Sequence, residues 1–181
     1  MRKLLNEELN RKSVEQFKSS EKSPFIIILD NVRSHSNVGS VFRTADAFLT
    51  RAIYLCGITA QPPHREIRKT ALGATEAVAW KYFAKTEEAV MELKEEGFII
   101  IGIEQTQGSV YLQDMQINKK DKYALIFGHE VNGVSQHVLD LCDLCIEIPQ
   151  FGTKHSFNIA ISAGIVLWEL SRKYKDPVII S

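Results

Sequence analysis

Long apolar runs are missing from this sequence, and their absence argues against a membrane-spanning helix. The longest runs, at 25–29 and 98–103, fall far short of the about 18 residues that a membrane-spanning helix needs. Segment 1–17 mixes charged side chains among its apolar positions and lacks the apolar stretch and cleavage site of a signal peptide. We therefore expect no membrane association and a cytoplasmic location.

Cysteine and net charge are also scarce. The three cysteines are an odd number that fits reduced thiols better than a disulfide framework. The 22 Lys+Arg residues balance 22 Asp+Glu residues, so bulk charge cannot hold nucleic acid. Residues 1–80 nevertheless carry 12 basic against 8 acidic side chains, and five of the eight arginines lie within 33–68. RNA contacts are therefore expected at a local patch in this half, with dispersed surface arginines as the alternative.

The composition is that of one ordinary globular domain, with 181 residues, 45% of them hydrophobic and 24% charged. Short apolar runs alternate with segments of helical periodicity, which predicts an α/β fold with a mostly parallel sheet and helices on both faces. Segment 57–77 has no clear periodicity and is predicted to be a long functional loop. The predicted strands are 25–30, 51–56, 98–104, 122–127 and 144–149. The predicted helices are 4–19, 38–48, 86–97, 135–142 and 156–174.

Three segments that follow predicted strands are richer in polar and glycine residues than simple connections require. They are NVRSHSNVGSVFRTAD at 31–46, GHEVNGVS at 128–135 and IPQFGTKHSFNIA at 148–160. Ligands of parallel sheets bind at the carboxyl ends of the strands, which favours a shared site. Each segment also has a purely structural interpretation, because Asn37, Ser135 and either Ser156 or Asn158 would suit a helix N-cap. Arg43 would then be an ordinary surface side chain.

Together, the three segments resemble the signature motifs of the SpoU/TrmH family of RNA ribose 2′-O-methyltransferases, part of the SPOUT superfamily. NVGSVFRTA resembles the first motif of the family, GHEVNG the second, and IPQFGTKHSFN the third. Phe157 stands where leucine is more usual, and His129 where asparagine is common. The resemblance covers about residues 24–172. We therefore expect 1–181 to be a single methyltransferase domain, with 1–22 as an N-terminal helical extension.

The resemblance implies a deep trefoil knot in the C-terminal region, which sequence patterning cannot indicate. It also implies S-adenosyl-L-methionine as the cofactor, bound at the ends of three strands and at the third motif. Family members are usually homodimers, and the C-terminal helix with Trp168 is a candidate interface, with internal packing as the alternative. The implied cofactor-binding residues are Ile103, Glu104, Gln105, Gly128, Ile148 and Phe157.

Methylation of a ribose 2′-hydroxyl requires the hydroxyl to be aligned with the methyl donor and made more nucleophilic. Arg43 is the expected catalytic residue, either as a bidentate clamp on the adjacent phosphate or as a general base, which would need a strongly lowered pKa. Asn37, Ser156 and Asn158 are neutral polar groups suited to orienting the arginine, the ribose or the methionine moiety. Glu130 would hold the arginine or its loop, unless it is only a turn residue facing solvent. This chemistry needs no metal.

Contacts with the phosphates of a structured RNA are expected from six residues: Arg33, His35, His64, Arg65, Arg68 and Lys69. Cys142 and Cys145 form a lone C-x-x-C near His137, which favours two buried cysteines over a zinc or redox site. The chain has neither a nucleophile-elbow serine motif nor a glycine-rich phosphate motif.

The sequence therefore predicts 2′-O-methylation of tRNA or rRNA by a homodimer that uses S-adenosylmethionine. One alternative is a non-catalytic RNA-binding or assembly factor on the same fold. Another is an RNA methyltransferase that modifies a base nitrogen. The sequence does not identify the RNA or the modified nucleotide.

Overall fold

A computed structural model describes residues 1–175, apart from the side chain of Asn6. Within this range seven strands form a single sheet in which every neighbouring pair is parallel. The strands are β1 (Phe25–Asp30), β2 (Ala52–Cys56), β3 (Trp80–Phe83), β4 (Phe98–Ile103), β5 (Val110–Tyr111), β6 (Lys122–Phe127) and β7 (Leu144–Glu147). Their order across the sheet is β3-β2-β1-β6-β4-β7-β5, which confirms the predicted parallel α/β fold.

Strand β1 is buried at every position because both faces of the sheet are covered. Its odd residues Phe25, Ile27 and Leu29 belong to one hydrophobic cluster. Ile26 and Ile28 belong to a second cluster on the opposite face. A strand with two buried faces needs apolar side chains at both its odd and its even positions, which explains the uninterrupted apolar run in the sequence.

Helices lie between most of the strands. They are α1 (Val14–Ser19), α2 (His35–Ala47), α3 (Arg65–Ala71), α4 (Ala74–Ala77), α5 (Thr86–Glu95), α6 (Gln136–Leu139) and α7 (Ile159–Lys175), with a 3-10 helix at Asn6–Leu9. None of the helices among the described residues has both the length and the hydropathy to cross a membrane.

The continuous helix predicted over 4–19 is wrong. Asn10 adopts a left-handed conformation with φ 45°, and a capping box of Ser13 and Gln16 starts α1 separately. Leu4, Leu5 and Leu9 are exposed, so the apolar spacing in this segment does not mark a packed helix face.

The long loop predicted over 57–77 is also wrong, because it contains α3 and α4. Helix α3 buries only Ile67 and Ala71 among charged neighbours, which leaves too short an apolar pattern to indicate a helix. Strands β3 and β5 lie at the two edges of the sheet and are largely exposed, which explains why no apolar run predicted them.

The order of the strands brings the three motif segments together. Strand β6 lies between β1 and β4, so the carboxyl ends of β1, β6, β4 and β7 are neighbours. This is the edge at which parallel sheets bind ligands, since the connections diverge there. Helix α7 packs against α2, which places the end of the third segment beside the first.

Gly39 of the first motif has a packing role. A Cβ at this position would lie 2.1 Å from Thr70 Oγ1 and 2.4 Å from the carbonyl oxygen of Ile67. Helix α3 therefore approaches α2 more closely than a side chain at position 39 would allow. The glycine fixes the distance between the helix that carries Arg43 and the basic helix α3.

Candidate functional site

A cleft of about 580 Å³ opens at the carboxyl ends of β4, β6 and β7. All six residues predicted to bind the cofactor line it, as do three of the predicted catalytic residues, Glu130, Ser156 and Asn158. Phe157 leaves 41% of its surface exposed beside the cleft, and Ile103 and Ile148 are half-buried. The cleft thus combines apolar side chains with polar groups at one edge of the sheet, as small-molecule sites usually do.

The GHEVNG segment forms a tight turn at one side of the cleft. His129 and Gly133 form an isolated antiparallel bridge, with N···O distances of 3.0 and 2.8 Å. The Nδ1 atom of His129 accepts the N–H groups of Val131 at 3.0 Å and Asn132 at 3.3 Å. A Cβ on Gly128 would lie 2.1 Å from the carbonyl carbon of Gly133. Glycine at position 128 is therefore required for the turn to fold back on itself.

Glu104 holds this turn against the end of β4. Its carboxylate accepts the N–H of Val134 at 3.0 Å and the N–H of Gln105 at 3.0 Å. The amide of Gln105 in turn donates to the carbonyl oxygen of His155 at 3.0 Å. Both predicted cofactor residues therefore also connect the second and third segments.

Glu130 joins the second motif to the first. Its carboxylate accepts the N–H of Ser34 at 2.9 Å, the N–H of Arg33 at 3.0 Å and the side-chain amide of Asn37 at 3.0 Å. Burial raises the pKa of Glu130, but the three hydrogen bonds outweigh that effect and hold the pKa below its ordinary value. Glu130 is exposed in its turn, as the alternative interpretation expects, but it also holds the segment that precedes α2.

Asn37 and Asn158 complete a chain of side-chain hydrogen bonds through all three motifs. The amide of Asn158 donates to the oxygen of Asn37 at 3.0 Å, and its own oxygen accepts the N–H of Ala160 at 2.9 Å. Asn158 thus caps α7 and contacts Asn37 at the same time. Asn37 is not a cap, because α2 begins two residues earlier and Ser34 accepts the N–H of Asn37 at 3.2 Å.

Arg43 lies outside the first cleft, in an adjacent groove of about 610 Å³. The groove runs between α2, α3 and the start of α7, and Asn158 lines both cavities. Arg43 is exposed on the same side of α2 as Ser40. The structure therefore places the predicted catalytic arginine in a groove next to the cleft, with Asn158 shared between the two.

The predicted RNA-binding residues fall into two groups. Arg65, Arg68 and Lys69 are exposed on α3 and line a further groove of about 440 Å³, and Lys69 also lines the Arg43 groove. His35 and His64 stack on each other with ring centroids 4.0 Å apart. Arg33 lies two residues before His35 in the sequence and is exposed. Its backbone N–H donates to Glu130.

Asp30 is a buried carboxylate that the sequence patterns did not single out. It is 1% exposed at the end of β1 and accepts hydrogen bonds from Asn31, Thr86 and Ser135. Ser135, predicted as a helix cap, makes no side-chain capping bond and contacts Asp30 at 3.3 Å. An aspartate closing an otherwise apolar strand was the available signal, since a buried carboxylate needs partners.

The two cysteines of the C-x-x-C, Cys142 and Cys145, are half-buried rather than fully buried. Burial raises the pKa of Cys142 to about 12, and its thiol donates to the carbonyl oxygen of Val138 at 3.5 Å. A thiol with such a pKa is neutral and a poor nucleophile.

This arrangement defines a class of protein: a parallel α/β enzyme-like fold with a small-molecule cleft at the carboxyl ends of its central strands and a basic groove beside it. The chain belongs to the SpoU rRNA Methylase family, whose model matches residues 24–168.

Individual relatives agree with this assignment. A 23S rRNA (guanosine-2′-O-)-methyltransferase RlmB of Neisseria meningitidis is 32% identical over 151 residues, which cover 83% of this chain and 59% of the Neisseria protein. The structure of an AdoMet-bound rRNA methyltransferase from Sinorhizobium meliloti matches with a TM-score of 0.77 and 29% identity, covering 86% of this chain and 58% of the other. A TrmH/SpoU tRNA modifying enzyme of A. aeolicus shares the fold, with a TM-score of 0.76, 24% identity and coverage of 88% and 79%. This chain therefore spans about three-fifths of the length of the first two relatives.

Proposed function

We propose that this chain transfers a methyl group from S-adenosyl-L-methionine to a ribose 2′-hydroxyl of tRNA or rRNA. Asn158 lines both the cleft and the Arg43 groove, and this shared position is the observation that carries the proposal. A donor in the cleft and a nucleotide in the groove would then meet at the asparagine. Membership of the SpoU family and the names of the relatives support the same reaction.

The cleft has the size and chemistry to hold the cofactor. Its volume of about 580 Å³ lies within the range of sites for small molecules, about 300–1,000 Å³. Ile103, Ile148 and Phe157 would pack against the adenine, and backbone groups around Gly128 and Gln105 would hydrogen-bond to its polar atoms. When bound, S-adenosylmethionine supplies an electrophilic methyl group on a positively charged sulfur.

Arg43 binds the acceptor in this proposal. A guanidinium keeps its proton in proteins and binds a phosphate through two parallel N–H groups. Anchoring the phosphate next to the target ribose in the groove would bring the 2′-hydroxyl towards Asn158. We therefore assign Arg43 the role of a phosphate clamp that positions the nucleotide.

The hydrogen-bonded chain of Glu130, Asn37 and Asn158 would fix the position of the cleft that binds the methyl donor relative to the groove that binds the RNA. The two asparagines and Ser156 are neutral, so they orient ligands without adding charge beside the sulfonium. Glu130 lines the cleft, and its carboxylate accepts the N–H groups of Arg33 and Ser34 just before α2.

We further propose a homodimer formed through α7. Ile161 and Trp168 lie seven residues apart on this helix and are 55% and 63% exposed, which leaves an apolar stripe on one face. Ile161 also lines the Arg43 groove, so a partner subunit on this stripe would lie next to the bound RNA.

We also propose that 24–172 forms the catalytic core with 1–22 as its extension. The C-terminal region would form the trefoil knot, and the protein would act in the cytoplasm.

The decisive experiment is methyl transfer from labelled S-adenosylmethionine to tRNA and rRNA isolated from a strain that lacks this protein. Nucleoside mass spectrometry of the product should identify a 2′-O-methylated nucleotide, and sequencing should map it. Titration calorimetry with S-adenosylmethionine distinguishes the alternatives. Absence of binding would indicate a non-catalytic RNA-binding factor, and a methylated base would indicate the base-nitrogen reaction.

A further inference from the structure

The rings of His35 and His64 stack on each other, and phosphate binding alone does not explain this contact. The two rings lie with centroids 4.0 Å apart and planes inclined by 30°. His35 is half-buried as the first residue of α2, whereas His64 is exposed immediately before α3. His35 thus covers one face of the His64 ring, and the His64 residue as a whole remains exposed and accessible to a ligand.

A hydrogen bond fixes the orientation of His64. Its Nδ1 atom accepts the N–H of Glu66 at 3.2 Å, which leaves the proton of the neutral ring on Nε2. The ring is therefore held from below by a second ring and from the side by the backbone of α3. A flat, immobilised ring loses little conformational freedom when another flat group stacks on it.

The side chains around His64 favour a negatively charged polymer that carries aromatic rings. Helix α3 carries three basic side chains next to His64: Arg65, Arg68 and Lys69. The acidic side chains nearby are Glu66 and Glu76. Lys69 lies on the boundary between this basic groove and the groove of Arg43. The six residues from His64 to Lys69 span about 7.5 Å along the helix axis from the first Cα to the last, the length of roughly two stacked nucleotides.

We propose that an unpaired base of the substrate RNA stacks on His64 while the strand continues across α3 to the target nucleotide at Arg43. This inference rests on the proposed function, since it identifies the substrate as an RNA loop or single strand. A continuous duplex keeps its bases inside the helix and offers none to an aromatic ring. His64 is then a base-binding residue that selects unpaired RNA, not a phosphate contact.

Three variants of the full-length chain separate the possible roles of His64. His64→Phe keeps a ring for stacking but loses the acceptor for the Glu66 N–H. His64→Asn keeps an acceptor that caps α3 but has no ring. His64→Lys provides a positive charge for a phosphate without a ring. Thermal unfolding of each variant controls for folding.

The probes are a labelled oligoadenylate of about 12 nucleotides and an abasic ribose-phosphate oligomer of the same length, with binding followed by fluorescence anisotropy. We expect wild type and His64→Phe to bind the oligoadenylate about tenfold more tightly than the abasic oligomer, the value of one base stack. His64→Asn and His64→Lys should lose this preference. Equal binding of both oligomers by wild type, or a preference retained by the asparagine or lysine variant, would overturn the inference.

Methyl transfer on the same preparations separates this inference from the proposed function. His64→Asn should raise the KM for RNA about tenfold, with kcat changed less than about twofold. A wild type that shows the base preference but transfers no methyl group would contradict the proposed function and leave the stacking role intact. An active enzyme whose KM is unchanged in His64→Asn would overturn the stacking role alone.

Discussion

Replacing Glu130 with glutamine tests whether its carboxylate holds the second motif against the start of α2. One carboxylate oxygen accepts the Ser34 N–H and the Asn37 amide, and the other accepts the Arg33 N–H. Glutamine has one acceptor oxygen, so its NH₂ group must face at least one of these donors. Hydrogen bonds to charged groups contribute about 1.5–3 kcal/mol, and the exposure of Glu130 to water reduces the loss. We therefore expect the free energy of unfolding to fall by about 1–2 kcal/mol.

The pKa of Glu130 predicts how this effect depends on pH. Burial raises the pKa, but the hydrogen bonds from Ser34, Arg33 and Asn37 lower it below the ordinary value of 4.5. A lowered pKa contributes stability that is fully present above 4.5 and is lost as the pH falls through the folded-state value. The difference between wild type and Glu130→Gln should therefore be largest at neutral pH and shrink in acid.

Urea denaturation at neutral pH and at a series of values below 4.5 measures this difference. Glu95→Gln, an exposed glutamate on α5, is the matched control and should change stability by less than about 0.5 kcal/mol. Methyl transfer by Glu130→Gln should also fall, because Asn37 and Asn158 lose their anchor. A Glu130→Gln variant as stable as the control, or a difference that stays constant in acid, would refute the role of the carboxylate.

Arg43→Ala should leave folding and S-adenosylmethionine binding nearly intact and lower turnover by about 100-fold, the cost of a misplaced substrate; turnover like that of wild type would reject the clamp. Gly39→Ala and Gly128→Ala should each lower the free energy of unfolding by about 2 kcal/mol or more, because the added Cβ would lie 2.1 Å from a neighbouring atom. Gly152→Ala, which meets open space, is the control in the same urea denaturation, and equal stability of all three would contradict the packing. Trp168→Glu should abolish the proposed homodimer in sedimentation, and a dimer that persists in this variant would exclude α7 as the interface.

Much of the fold was predictable because burial on both faces leaves a direct trace in the sequence. The uninterrupted apolar run of β1 predicted a central parallel strand, and the structure places it there. Helix α3 left no such trace, since it contributes only Ile67 and Ala71 to the core. The edge strand β3 has three exposed positions of four. Elements that bury little surface carry a pattern too weak to distinguish from a loop.

The sequence by itself determined the types of residue at the site: the amides at Asn37 and Asn158, the carboxylate at Glu130, and the residues predicted to bind the cofactor. Only the tertiary structure decided how they meet. Asn37 contacts Glu130 across 93 residues and Asn158 across 121, and Arg43 lies in a second groove beside the cleft. Local patterns carry no information on such contacts, because hydrogen-bond direction and ring stacking depend on where the parallel sheet places the ends of strands distant in sequence.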